Sequence, residues 1–237
     1  MTLSLLHPGR VDVGLGRSGG SEPATNVRIR RTVQYYDSFD DDVRETVHLL
    51  DLLGADGVEV FVLAASPGTA TFAARKGLGL AVAGHVAPDD MDRTFAAYRE
   101  HFRPRPSRDR PHVVLCLPIL VADSDDEARW WFRSVQQRYL DRLRTGGAPM
   151  QLPGDVALDW SASERYRVDA MLDAAVVGSA RTVDAGLRDV GRRWAPDEVM
   201  AMTDLPDLDA TTSSDVRLAE VTAVLAEADG VRRATLS

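Results

Sequence analysis

The stretch "LLHPGRVDVGLGRSGG", residues 5–20, decides how the rest of the chain is read. Its middle, "RVDVGLG" (10–16), predicts a short strand, and its tail a glycine-rich loop of the kind that brings backbone N–H groups close to a phosphate. Gly14-Leu15-Gly16-Arg17-Ser18-Gly19 fits the pattern GxGxxG. In a dinucleotide-binding fold a helix starts inside that pattern, so that its N-terminus meets the pyrophosphate. Here the polar stretch "SEPATNVRIRRTVQYYDS" follows, and the next helical pattern starts only at residue 40. No second strand ends in an acidic residue at the required distance. Two readings remain: a glycine-rich turn after a strand, or a phosphate-contacting loop at a strand's C-terminal end, where an α/β barrel places its site.

Downstream, apolar runs and helical patterns alternate. Residues 40–53 predict a helix with Val43, Val47, Leu50 and Leu53 on one face. Asp40, Asp41 and Asp42 occupy its first turn, where carboxylates offset the helix dipole. "VEVFVLAA" (58–65) is too continuously apolar for a half-exposed strand and predicts one covered on both faces. "SPGTATFAARKG" (66–77) begins with Ser66 at an N-cap and Pro67 at the first helical position, and stops at Gly77. "LGLAVAGH" (78–85), "HVVLCLPILVA" (112–122) and "DEVMAMT" (197–203) predict three more strands, with Pro118 marking a bend or an end. A helix over 88–102 lies between the first two of these. Ser124-Asp125-Asp126-Glu127 reads as a capping box. It opens a long helix with Ala128, Trp131, Phe132, Val135, Tyr139 and Leu143 on one stripe. A loop (145–163), a short helix (164–174) and helices opened by Ser179 and Ser214 complete the pattern. Five strands, each followed by a helix, predict a parallel sheet, either doubly wound or a barrel. No repeat or linker divides it, which predicts a single domain over residues 1–237.

Hydrophobic content of 44% and charged content of 27% are ordinary for a soluble globular chain. A net charge of −8 argues against non-specific binding to nucleic acid or to an anionic membrane surface, both of which need a basic face. The single cysteine, Cys116, lies in an apolar run and reads as an inert buried thiol. No run reaches the ~18 apolar residues of a membrane span, and the first residues lack the charged start and apolar run of a secretion signal. A cytoplasmic location is the expectation. No pair of histidines has metal-ligand spacing with a carboxylate. The acidic clusters "DSFDDD" and "ADSDDE" precede helices, which dipole compensation explains. No serine sits in a GxSxG elbow.

Four segments in order resemble one known family. "TLSLLHPGRVDVGLGRSGG" resembles the stretch that bacterial luciferase-like flavin monooxygenases write roughly as "TLEALHPGRIDLGLGRAPG". "FVLAASPGTATFAARKGLGLAVAGHVAPD" resembles their strand, Ser-Pro helix and next strand. "AYREHFRPRP" with "PHVVLCLPILVADSDDEAR" resembles the helix, strand and capped helix that follow. "VVGSARTVDAGL" with "DEVMAMT" resembles their closing "VVGSPETV" and "DELMV". The resemblance implies an incomplete TIM-type (β/α) barrel: five parallel strands corresponding to barrel strands four to eight, with strands one to three absent. An open sheet of that kind exposes an edge and apolar surface, so a homodimer or a partner chain is expected to cover it.

The same resemblance implies a cofactor site. Arg17 matches the arginine after the fourth strand that reaches the flavin phosphate, a role suited to a guanidinium fork. Ser66 and Thr69 match hydroxyl residues at the start of the helix after the fifth strand, although Ser66 before Pro67 also has the form of an ordinary N-cap. Ala64, Ala65 and Gly68 would line the same loop; some luciferases carry a glutamate where Ala65 stands. His85, at the end of the sixth strand, would line the pocket or be satisfied by a backbone carbonyl. The implied cofactor is FMN, reduced by a separate NAD(P)H-dependent reductase, with a deazaflavin left open. The implied reaction is oxygen-dependent oxidation of a small organic substrate. The contrasting reading is a non-catalytic subunit that binds flavin weakly or serves as a dimer partner, because the family's ring-supporting strands are the ones absent.

Overall fold

Every strand predicted from an apolar run forms, and the pairings between them are parallel. The computed structural model describes residues 2–17, 28, 38–54, 57–86, 88–229 and 235–236. Ser18, Gly19 and the polar stretch after them lie outside the described residues, apart from residue 28 and Ser38. The chain divides into two compact units, Met1–Val82 with Asp90–Val113, and Ala83–Asp89 with Val114–Ser237.

In the first unit, a short helix α1 (Thr2–Leu6) precedes β1 (Asp12–Gly16). Helix α2 (Phe39–Leu52), β2 (Glu59–Ala64), α3 (Pro67–Arg75), β3 (Gly79–Ala83) and α4 (Met91–His101) follow. β1 pairs with β2 so that Gly16 lies opposite Leu63, and β2 pairs with β3 so that Ala64 lies opposite Val82. Val62, Ala64, Leu80 and Val82 are buried, as are Ala70, Ala73 and Ala74 of α3 and Phe95 and Tyr98 of α4. The three alanines let α3 lie close to β2 and α4. α3 ends in a Schellman motif: the Leu78 N–H donates to the Ala73 carbonyl at 3.1 Å and the Gly77 N–H to the Ala74 carbonyl at 3.0 Å. Gly77 has φ +64°, and a Cβ there would sit 2.5 Å from the Arg103 carbonyl oxygen, so no other residue fits. On α2 the predicted stripe holds at Val43, which is buried, and fails at Leu53, which is 52% exposed just past the helix end.

The second unit is built on β4 (Val113–Ala122), whose register changes partner at Pro118. Residues Val114–Pro118 pair with β6 (Glu198–Met202), and Ile119–Ala122 pair with β5 (Val176–Ser179). Pro118 neither bends off nor ends the strand; a residue without an N–H sits where the strand exchanges neighbours. Two strands were not predicted: β5, and β7 (Thr235–Leu236), which pairs with β6. Among the described residues the strands of neither unit close into a barrel.

Helix α5 (Asp125–Thr145) carries its stripe as predicted: Tyr139 and Leu140 pack with Val168 and Leu172 of the following segment, and Phe132, Val135 and Leu143 lie against them. Its capping box is shifted by one residue. The Ser124 hydroxyl accepts from the Glu127 N–H at 3.1 Å, but the Glu127 carboxylate accepts from the N–H of Asp123. A complete box, Ser161 with Glu164, opens α6 (Ala162–Met171). Helix α7 (Ala180–Trp194) starts under Asp125, whose carboxylate accepts from the Ser179 N–H at 2.7 Å and the Thr182 hydroxyl at 2.8 Å. Those bonds hold the carboxyl down at about 2, so it stays ionised and fills this helix N-terminus. Helix α8 (Leu208–Asp229) starts earlier than Ser214, which is buried and whose hydroxyl accepts from the Val121 N–H at 2.9 Å.

Candidate functional site

Arg17 and Ala65-Ser66 leave the C-terminal ends of two strands in direct register, β1 and β2, and neighbouring strands lie about 4.8 Å apart. The glycine-rich end of β1 and the start of α3 therefore open on the same edge. Ser66 holds the N-cap position in an extended conformation, and Pro67 occupies the first turn. Its hydroxyl makes no capping bond; it lies 3.3 Å from the Thr69 hydroxyl. Among the described residues no acceptor takes the N–H of Gly68 or Thr69. An uncapped helix start with two adjacent hydroxyls is a donor set suited to an anion. Gly68 is exposed, and a Cβ there would meet no atom within 4 Å, so packing leaves this turn open to a ligand. Ala65 is half-buried beside it, whereas Ala64 is 2% exposed and belongs to the core rather than to the loop lining.

The Arg17 guanidinium is turned toward α2. It lies 3.3 Å from the Asp40 carboxylate and 5.2 Å from the Phe39 ring centroid. With both partners about half exposed, that pair contributes about 0–1 kcal/mol and is a weak competitor for a phosphate.

His85 belongs to the second unit and lines a cavity of about 190 Å³ there. The cavity opens at the C-terminal ends of β4 and β6, bounded by Pro118, Leu120, Met202 and Thr203 and by the α5 face that carries Phe132, Arg138, Tyr139 and Arg142. Met150, from the loop over residues 145–163, is also in the wall. The His85 main-chain carbonyl accepts from the Tyr139 hydroxyl at 3.2 Å. Nδ1 of His85 is buried and completes no hydrogen bond within bonding geometry. Burial lowers the His85 pKa; the nearby Cys116 backbone opposes this and the Arg142 charge adds to it, which favours the neutral ring. Cys116 itself is partly buried, and desolvation pushes its thiol up to about 11, as expected of an inert cysteine.

Arg138, Arg142 and Asp204 were not singled out from sequence. Their signal was available as arginines one turn apart on the long helix and an acid just beyond "EVMAM". Among the described residues no cluster of histidine, cysteine and carboxylate side chains could hold a metal ion, and no helix is long and apolar enough to cross a membrane.

The family model of the luciferase-like monooxygenases matches residues 1–197. The chain belongs to that family. A luciferase-like monooxygenase of Escherichia coli K12 is 35% identical over 213 residues, covering 84% of this chain and 63% of that protein. YvbT of Bacillus subtilis 168 is 31% identical, with the same coverage of 84% and 63%. The chain thus spans 63% of the length of these two relatives. Among solved structures, apo-MsnO8 superposes with a TM-score of 0.75 at 24% identity, over 93% of this chain and 70% of that one. The oxygenating constituent of 3,6-diketocamphane monooxygenase from Pseudomonas putida, solved with FMN, gives a TM-score of 0.53 at 16% identity, over 82% of this chain and 64% of that one. These likenesses agree with the α/β fold expected of the family.

Proposed function

We propose that this chain is a single luciferase-like domain that binds FMN and takes part in the oxygen-dependent oxidation of a small organic substrate. The observation that carries the reading is the uncapped start of α3, with the Ser66 and Thr69 hydroxyls together and Arg17 on the adjoining strand end. Family membership and the FMN held by the Pseudomonas neighbour support it. In this account the phosphate takes hydrogen bonds from the Gly68 and Thr69 N–H groups and the two hydroxyls. Arg17 moves from Asp40 to the phosphate and supplies two charge-assisted bonds. The flavin, reduced by a separate NAD(P)H-dependent enzyme, supplies the redox chemistry; the protein's part is to fix its phosphate end.

A second reading is favoured by the exposed side of β1. Among the described residues β1 pairs only with β2, and Leu63 beside Gly14 and Gly16 is 46% exposed. Such an edge suits a subunit whose partner chain, or a second copy, covers it. Titration with FMN and with riboflavin, which lacks the phosphate, tests the first reading. FMN is expected to bind about tenfold or more tightly than riboflavin, the value of one charge-assisted contact. Equal affinities, or none for either, would remove the phosphate site and leave the partner-subunit reading.

A further inference from the structure

The cavity of the second unit combines an apolar wall with positive charge that the protein does not neutralise. Arg138 and Arg142 stand one turn apart on α5 and both line it. Asp204 pairs with Arg138, whereas among the described residues no carboxylate pairs with the Arg142 guanidinium. His85 also lines it, with its Nδ1 buried. The remaining wall is apolar or nearly so: Leu120, Phe132, Met150 and Met202. An apolar cavity of about 150 Å³ is large enough for benzene, so a volume of about 190 Å³ admits one ring or a short chain with a small acidic group. A neutral ligand would leave Arg142 unmatched, and a dianion would place its second charge near Asp204.

We propose that this cavity takes a small amphiphilic monoanion, with its carboxylate or sulfonate on Arg142 and its aromatic or short alkyl body against Phe132, Met150 and Met202. The inference deepens the monooxygenase reading by giving a substrate class, and rests on it only in calling the ligand a substrate. The methionines' length and lack of branching suit a pocket that accommodates bodies of differing shape.

Phenylacetate and its neutral isostere phenylacetamide are the probes, titrated into the flavin-free chain by calorimetry and followed by NMR of methyl-labelled methionine. Phenylacetate is expected to bind about tenfold or more tightly than the amide and to move the Met150 and Met202 methyl signals. Arg142→Gln, at an exposed position, is expected to abolish that preference. Equal binding of the two probes overturns the proposal. So does a preference that survives in Arg142→Gln, methyl shifts confined to other methionines, or no binding at millimolar concentration. Because no flavin is present, failure of the phosphate site would leave these results untouched, and failure here would leave FMN binding untouched.

Discussion

Replacing Tyr98 by alanine is expected to destabilise the chain by about 3–5 kcal/mol, and replacing it by phenylalanine by about 1–3 kcal/mol. Tyr98 is fully buried on α4. Its hydroxyl donates to the Leu78 carbonyl at 2.7 Å and accepts from the His112 N–H at 3.3 Å. One side chain thus ties the residue before β3 to the residue before β4. Phenylalanine keeps the ring but strips a buried carbonyl of its donor, which then bears the full cost of desolvation. Alanine adds a cavity. A folded domain has only about 5–15 kcal/mol in hand, so the alanine variant should be marginal. Urea unfolding followed by circular dichroism should order the midpoints wild type, Tyr98→Phe, Tyr98→Ala. A phenylalanine variant as stable as wild type would show that the hydroxyl bonds contribute nothing net.

The second large effect is on binding. Arg17→Ala is expected to weaken FMN affinity by about tenfold to a hundredfold, the loss of a charge-assisted contact of about 1.5–3 kcal/mol. Riboflavin affinity should not change, because the contact is to the phosphate. Stability should hardly move, since the guanidinium is half exposed and its pair with Asp40 is a surface one. Fluorescence quenching of the flavin checks this directly. Unchanged FMN affinity in the variant would mean that Arg17 stays with Asp40 when ligand is present.

Much of the fold was legible because it rests on patterns that act locally. The continuous apolar run at 58–65, the Ser-Pro start and glycine stop of α3, and the stripe of α5 each state their own burial, and packing agrees with them. β5 was missed because four residues, Val176–Ser179, are too few to carry a period. Pro118 was misread because a partner exchange within one strand depends on the register of distant residues, Ile119 with Val176 and Pro118 with Met202. At the candidate site, the position of Ser66 could be read but its bonding could not. A serine before proline looks the same whether its hydroxyl caps the helix or turns to Thr69, and only the side-chain geometry separates the two. The second-unit cavity was invisible for a related reason. Arg138 and Arg142 read as the solvated side of an amphipathic helix until Asp204, His85 and Met150 are brought to the same place.

The central claim is that the start of α3 holds the FMN phosphate. The most direct test follows the backbone amide signals of Gly68 and Thr69 by NMR while FMN is added to the ¹⁵N-labelled chain. The account predicts that these two signals shift with FMN, far less with riboflavin, and follow the same binding curve as the flavin fluorescence. FMN that binds while both amides stay in place would contradict it.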